Sequence, residues 1–332
     1  MRAFACPVCS RLVTFESSRC LHCETELAFD FDRRDVTALK PPSQRCVNAQ
    51  LAACNWIARE DGGLCASCAL TRTRPRDGDG DGLAALAAAE AAKRRLLFEL
   101  AELELPIDSW RERAGGLAFD LLSSAPEPVM TGHADGVITL DLAEADPASR
   151  ERRRTALEEP YRTLLGHLRH EIGHYYQPIL APAGSPERAA CRARFGDDRA
   201  EYAAALKRHY ETGPPANWRQ SFVSAYATMH PWEDWAETFA HYLHIRDALQ
   251  TAAAHGLRVD GPDIPTTDEA PLHGEPVAGG DLRTLLDAWL PLTYALNAIN
   301  RSMGADDLYP FVISAPAQDK LALVHRLVTQ RD

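Results

Sequence analysis

His170-Glu171-Ile172-Gly173-His174 lies within residues 160–177, a run that Pro160 opens and Pro178 closes. The pattern predicts a helix, with proline suited to its first turn and a proline stop at its end. At about 100° per residue the two histidines stand about 40° apart on one face and one turn apart in height. Both imidazoles can therefore reach one metal ion, and Zn2+ is the ion this spacing suits. Glu171 flanks the open coordination position, where a carboxylate can take a proton from water.

A centre of this kind needs a third protein ligand. His230-Pro231-Trp232-Glu233-Asp234-Trp235-Ala236-Glu237-Thr238-Phe239-Ala240-His241 supplies candidates on a second helix, predicted from Pro231 to about residue 254. Trp232, Trp235, Ala236 and Phe239 recur at helical spacing and form the expected buried stripe. Glu233, Glu237 and His241 recur every fourth residue on another stripe. Acids beside a buried aromatic face are costly unless they bind something.

Eight of nine cysteines fall within the first 68 residues, and Cys191 stands apart. Cys6, Cys9, Cys20 and Cys23 form two C-x2-C pairs. Cys46, Cys54, Cys65 and Cys68 include one more such pair. No signal-like segment starts the chain and no apolar run is long enough to span a bilayer, so a cytoplasmic protein is expected and no membrane partner. There, thiols remain reduced and metal ligation accounts for them. Four thiolates in a closed tetrahedral shell suit structural zinc, with a rubredoxin-like iron site as the alternative. A cross-braced pairing of alternate pairs satisfies the same count, and His22 could replace a sulfur.

The chain has 332 residues, 45% apolar and 25% charged, with a formal net charge of -11. That balance leaves no broad basic surface for nucleic acid. Residues 1–76 hold eleven Arg and Lys against eight Asp and Glu, a formal +3. Eight thiolates and two Zn2+ take the module to about -1, a poor phosphate footprint. Asp77-Gly78-Asp79-Gly80-Asp81-Gly82 starts like a calcium loop, but Ala88 stands where the bidentate Glu belongs. A flexible linker is the reading, dividing a zinc-ribbon module, 1–76, from a second domain, 83–332. Helices are expected over 83–105, 149–159, 199–210, 282–301 and 318–330, and strands over 117–123 and 137–142. The loop-like stretch 256–280 could cover a cleft.

The two histidines, Glu171 and the later acids resemble the gluzincin metallopeptidases, whose HExxH helix precedes a glutamate ligand on another helix. The resemblance is closer to a bacterial family of zinc-binding metallopeptidases with an N-terminal double zinc ribbon. It rests on the cysteine array ending Leu64-Cys65-Ala66-Ser67-Cys68, the block from Glu159 to Tyr176, the block from Trp232 to Ile245, Phe195-Gly196-Asp197-Asp198-Arg199 and Leu308-Tyr309-Pro310-Phe311. It implies an α+β, mostly α, zincin-like domain with a small sheet, one catalytic and two structural Zn2+, and a peptide or protein substrate. Glu233 would be the third ligand and Glu237 would orient a ligand histidine, with the two roles exchangeable. Tyr226, seven residues before Glu233, would donate to the oxyanion, although Tyr202, Tyr210 and His230 could also reach it. His241 could serve either shell. The ribbons would engage a protein partner, and an edge strand at 137–142 could pair with an extended substrate. The alternative is a metal-dependent binding or regulatory protein on the same scaffold, favoured if His241 or a carboxylate closes the fourth position.

Overall fold

A computed structural model describes residues 1–59, 63–124, 127–146, 163–259, 261 and 281–330. The architecture is mixed α and β, with seven α-helices among the described residues. The chain divides into two compact units, Met1–Leu168 and Arg169–Asp332. The expected helix 149–159 and most of the stretch 256–280 (260 and 262–280) lie outside the described residues.

In the first unit, β1 (Phe4–Ala5) and β2 (Leu12–Val13) pair antiparallel, as do β3 (Leu27–Asp30) and β4 (Asp35–Ala38). The first two C-x2-C pairs form matching knuckles. Ser10 and Glu24, each following a second cysteine, adopt left-handed backbone at φ 58° and 60° and donate N–H to Cys6 O and Cys20 O. Beneath them Phe4, Phe15, Phe29 and Trp56 pack edge to face, with Phe15 and Phe29 centroids 4.6 Å apart.

β5 (Thr71–Thr73) begins three residues beyond Cys68 and runs parallel to β6 (Ala118–Leu122). The intervening α1 (Gly80–Glu102) makes this a strand–helix–strand crossover. Asp79 caps α1 by accepting the Gly82 N–H, so the second half of the Gly-Asp segment is the helix's first turn. The segment joins packed elements. Phe98 of α1 lies among Phe4, Phe15 and Phe29. The sheet is completed by β7 (Gly132–Ala134) and β8 (Val137–Asp141), in the order β5-β6-β8-β7. The expected edge strand is therefore internal: β8 pairs with β6 over Val137–Asp141 on one side and with β7 over Val137–Thr139 on the other. Its Ile138 and Leu140 are wholly buried, as an inner strand requires.

The helix α2 (Leu164–Leu180) crosses the division between the units, and the start expected at Pro160 lies outside the described residues. Pro178 does not end it. It sits in the last turn, which the Ala181 N–H closes onto Gln177 O. The second unit continues with α3 (Pro186–Phe195), α4 (Tyr202–Thr212), α5 (Pro231–Ala254), α6 (Leu282–Ser302) and α7 (Ala315–Thr329). Helix α5 packs against α3, α6 and α7 and carries the core residues Trp235, Phe239 and Leu243. Tyr176 of α2 stacks on Phe239. Trp232 departs from the expected buried stripe: it is half-buried in the first turn of α5, its ring against His174.

Candidate metal centre

Helix α2 presents His170 and His174 one turn apart, and α5 presents Glu233 and Glu237 opposite them. Two contacts bring the helices close. Gly173 approaches Ala236 closely, and the Trp235 Nε1–H donates to Gly173 O at 2.8 Å. At this crossing His170 Nε2 lies 2.9 Å from Glu233 Oε2 and 3.1 Å from His174 Nε2. His174 Nε2 and Glu233 Oε2 are 3.3 Å apart. Zinc bound to nitrogen and oxygen at roughly 2.0–2.2 Å holds tetrahedral ligand atoms roughly 3.3 Å from one another. The three donor atoms have that spacing and softness, so the residues fit Zn2+.

Glu237 occupies the other side of the imidazole. His170 Nδ1 lies 2.7 Å from Glu237 Oε1, and Ser224 Oγ–H donates to Glu237 Oε2 at 2.5 Å. A proton on Nδ1 leaves the Nε2 lone pair facing Glu233 and His174. Tyr202 O–H donates to Glu233 Oε1 at 2.9 Å. Burial opposes charge on all three groups, but mutual hydrogen bonds prevail. His170 is held well above the ordinary histidine pKa, Glu233 is held below the carboxylate range, and Glu237 is lowered to about 2.

Glu171 is buried on α2 beside this group, and its charge reaches Tyr202, whose hydroxyl is pushed up first by burial and then by Glu233. Tyr226 stands in a short 3-10 turn with its ring centroid 5.9 Å from that of His170. Burial and Glu233 raise its pKa. The other residues are occupied elsewhere. His241 Nδ1 lies 2.6 Å from Tyr309 Oη, with the Phe311 ring 4.4 Å away. His230 caps α5, its Nδ1 accepting the Trp232 N–H while Nε2 faces Ala200 O. Tyr210 is exposed. Ser224 has no periodic signal in the sequence because it belongs to the irregular segment between α4 and α5.

The cysteines gather in chain order. Cys6, Cys9, Cys20 and Cys23 form one group and Cys46, Cys54, Cys65 and Cys68 another, the sulfurs of each within 4.8 Å of one another. The cross-braced arrangement does not occur, and His22 is exposed. Cys191 is buried in α3, where burial pushes its thiol up to about 11.

A family model described as "putative zinc-binding metallo-peptidase" matches residues 83–327, and one described as "zinc-ribbon domain" matches residues 3–79. Uncharacterized proteins of Mycobacterium bovis and Mycobacterium tuberculosis are 52% identical over 335 residues, covering 99% of this chain and 96% of theirs. No solved structure matches. No described helix is long and apolar enough to cross a membrane.

Proposed function

The chain belongs to the putative zinc-binding metallo-peptidase family, and from that premise we propose that it hydrolyses peptide bonds at the group formed by His170, His174 and Glu233. The observation that carries this reading is the convergence of three ligand-type atoms within 4.8 Å, with the buried Glu171 next to His170 in the chain. When bound, Zn2+ would polarise the scissile carbonyl and make water at its open position more acidic.

The chain's own residues then have distinct tasks. Glu171 takes the proton of the attacking water on its carboxylate and delivers it to the departing amine nitrogen. Tyr226 O–H donates to the oxygen that gains negative charge as the carbonyl is attacked. Glu237, held by Ser224, keeps the His170 proton on Nδ1. Tyr202 engages one oxygen of Glu233 and leaves the other directed at the histidines. His241 is not among the residues whose ligand atoms converge there, and its Nδ1 lies 2.6 Å from Tyr309 Oη, which supports hydrolysis over mere binding.

In the proposed organisation, residues 83–332 carry the reaction. The ribbons of residues 1–76, each with a structural Zn2+, present a protein partner, and the substrate is a cytoplasmic peptide or protein. The test is a peptide-library assay of the zinc-loaded protein. Cleavage should disappear with a chelator and return with zinc. Glu171→Gln should keep its zinc and lose about 100-fold or more in kcat; unaltered cleavage by this variant refutes the assignment.

A further inference from the structure

The two cysteine groups differ in their access to water. Cys9 and Cys23 are half-buried, whereas Cys46, Cys54, Cys65 and Cys68 are at most 2% exposed. Four thiolates with one Zn2+ carry a net charge of about -2. Solvent screens that charge at the first group. At the second, burial demands a cation from the protein.

Helix α1 places two cations in this interior. Lys93 is wholly buried, but Glu90 Oε1 lies 2.8 Å from its ammonium, so the pair is neutral. Arg94 is 2% exposed. Its Nη2 donates to Ala52 O at 3.2 Å and to Ala53 O at 3.1 Å, the carbonyls of the turn that leads into Cys54. Ala53 has left-handed backbone there, at φ 45°. Nε and Nη1 of Arg94 have no acceptor among the described residues. A buried guanidinium with two idle nitrogens is a costly arrangement unless a diffuse negative charge lies close by. A four-thiolate metal site is such a charge.

We propose that Arg94 is the counter-charge of the metal site formed by Cys46, Cys54, Cys65 and Cys68, so that metal binding there and the packing of α1 against the ribbon stabilise each other. The inference rests on the reading that these cysteines hold zinc. It explains why the arginine sits one turn before Phe98, the residue that fastens α1 to the ribbon core. Without metal, Arg94 is a buried cation lacking its partner. Without Arg94, the metal site is a buried dianion lacking its own.

Cadmium NMR of the full-length protein, with one resonance for each four-sulfur site, combined with chelator competition tests this. Arg94→Gln should weaken the second site by about 10–100-fold while leaving the Cys6 site at wild-type affinity. Arg94→Lys, which keeps the charge, should remain near wild type. A wild-type protein with only one four-sulfur resonance refutes the zinc reading, and the inference falls with it. Two resonances with unchanged affinity in Arg94→Gln overturn the inference alone. Equal losses in both variants also overturn it, because the hydrogen bonds to Ala52 and Ala53 would then be what matters. If Arg94→Gln loses both resonances by unfolding, Arg94→Lys decides: retention of the second site supports the counter-charge and its loss refutes it.

Discussion

Gly173 and Ala236 meet where α2 crosses α5: a Cβ added to Gly173 would stand 3.0 Å from Ala236 Cα and 3.2 Å from Ala236 O. Both neighbours are backbone atoms, so relief requires the helices to part. Gly173→Ala gains about 1 kcal/mol of helix propensity, while overpacking costs about 1–3 kcal/mol. The net change in stability should be small or unfavourable. Zinc affinity should fall more clearly, because parting the helices draws His170 and His174 away from Glu233. Urea denaturation and zinc competition on the same variant would separate the two effects, and undiminished zinc affinity would contradict this role for the crossing.

Glu237 and Ser224 act on His170 from the side away from Glu233. Glu237→Ala should weaken zinc binding about 10–100-fold, the usual consequence of losing the acceptor behind a ligand histidine. Ser224→Ala should cost less zinc affinity. Because Ser224 Oγ also accepts the Ala227 N–H beside Tyr226, it should lower kcat too. Zinc titration with steady-state kinetics on both variants is the check, and equal zinc affinities in Glu237→Ala and wild type would exclude an orienting role.

Tyr202 and Tyr226 should separate by kinetics. Tyr226→Phe removes the proposed donor to the oxyanion and should lower kcat about 100-fold with KM little changed. Tyr202→Phe removes the hydroxyl held by Glu233 and should act mainly on metal affinity. The reverse result would exchange their roles.

Acid should destabilise the second unit through His241, whose pKa burial lowers to about 4. The unfolded chain takes up this proton near pH 6.5, and the folded chain only near pH 4. This contribution is complete above pH 6.5, declines as pH falls toward 4, and is level below that. The slope is at most about 1.4 kcal/mol per pH unit for this one group. Urea unfolding of wild type and His241→Gln between pH 4 and 7 should give a shallower slope for the variant. Identical slopes would mean that His241 titrates alike in both states.

Much of the site is legible in the sequence because helical periodicity is local. Four-residue spacing puts His170 beside His174 and Glu233 beside Glu237, and Pro231 opens α5 as its fixed φ favours. Other roles were not legible. Ser224 lies in an irregular segment, and Tyr202, although it falls in the expected helix 199–210 and opens α4, is on a different element from Glu233, so no spacing connects either with its carboxylate. Trp232 fits the apolar stripe but occupies the first turn, where it covers His174. The position of β8 inside its sheet depends on which strands pair, and its own residues do not encode that.

By itself, the sequence determined two groups of sulfur ligands, a histidine pair on one helix face and acids on another. Each follows from bonds and dihedral angles within a few residues. Tertiary structure decided the matters of distance between segments: that cysteines group in chain order, that Glu233 meets Nε2 of His170 while Glu237 meets Nδ1, and that His241 turns to Tyr309. Packing at the Gly173–Ala236 crossing sets those distances, because only close approach of the two backbones brings the carboxylates within hydrogen-bond reach of the imidazoles. Arg94 shows the same division. Its position in a helix is a local property, and its charge gained a candidate partner when folding placed it beside the turn that carries Cys54.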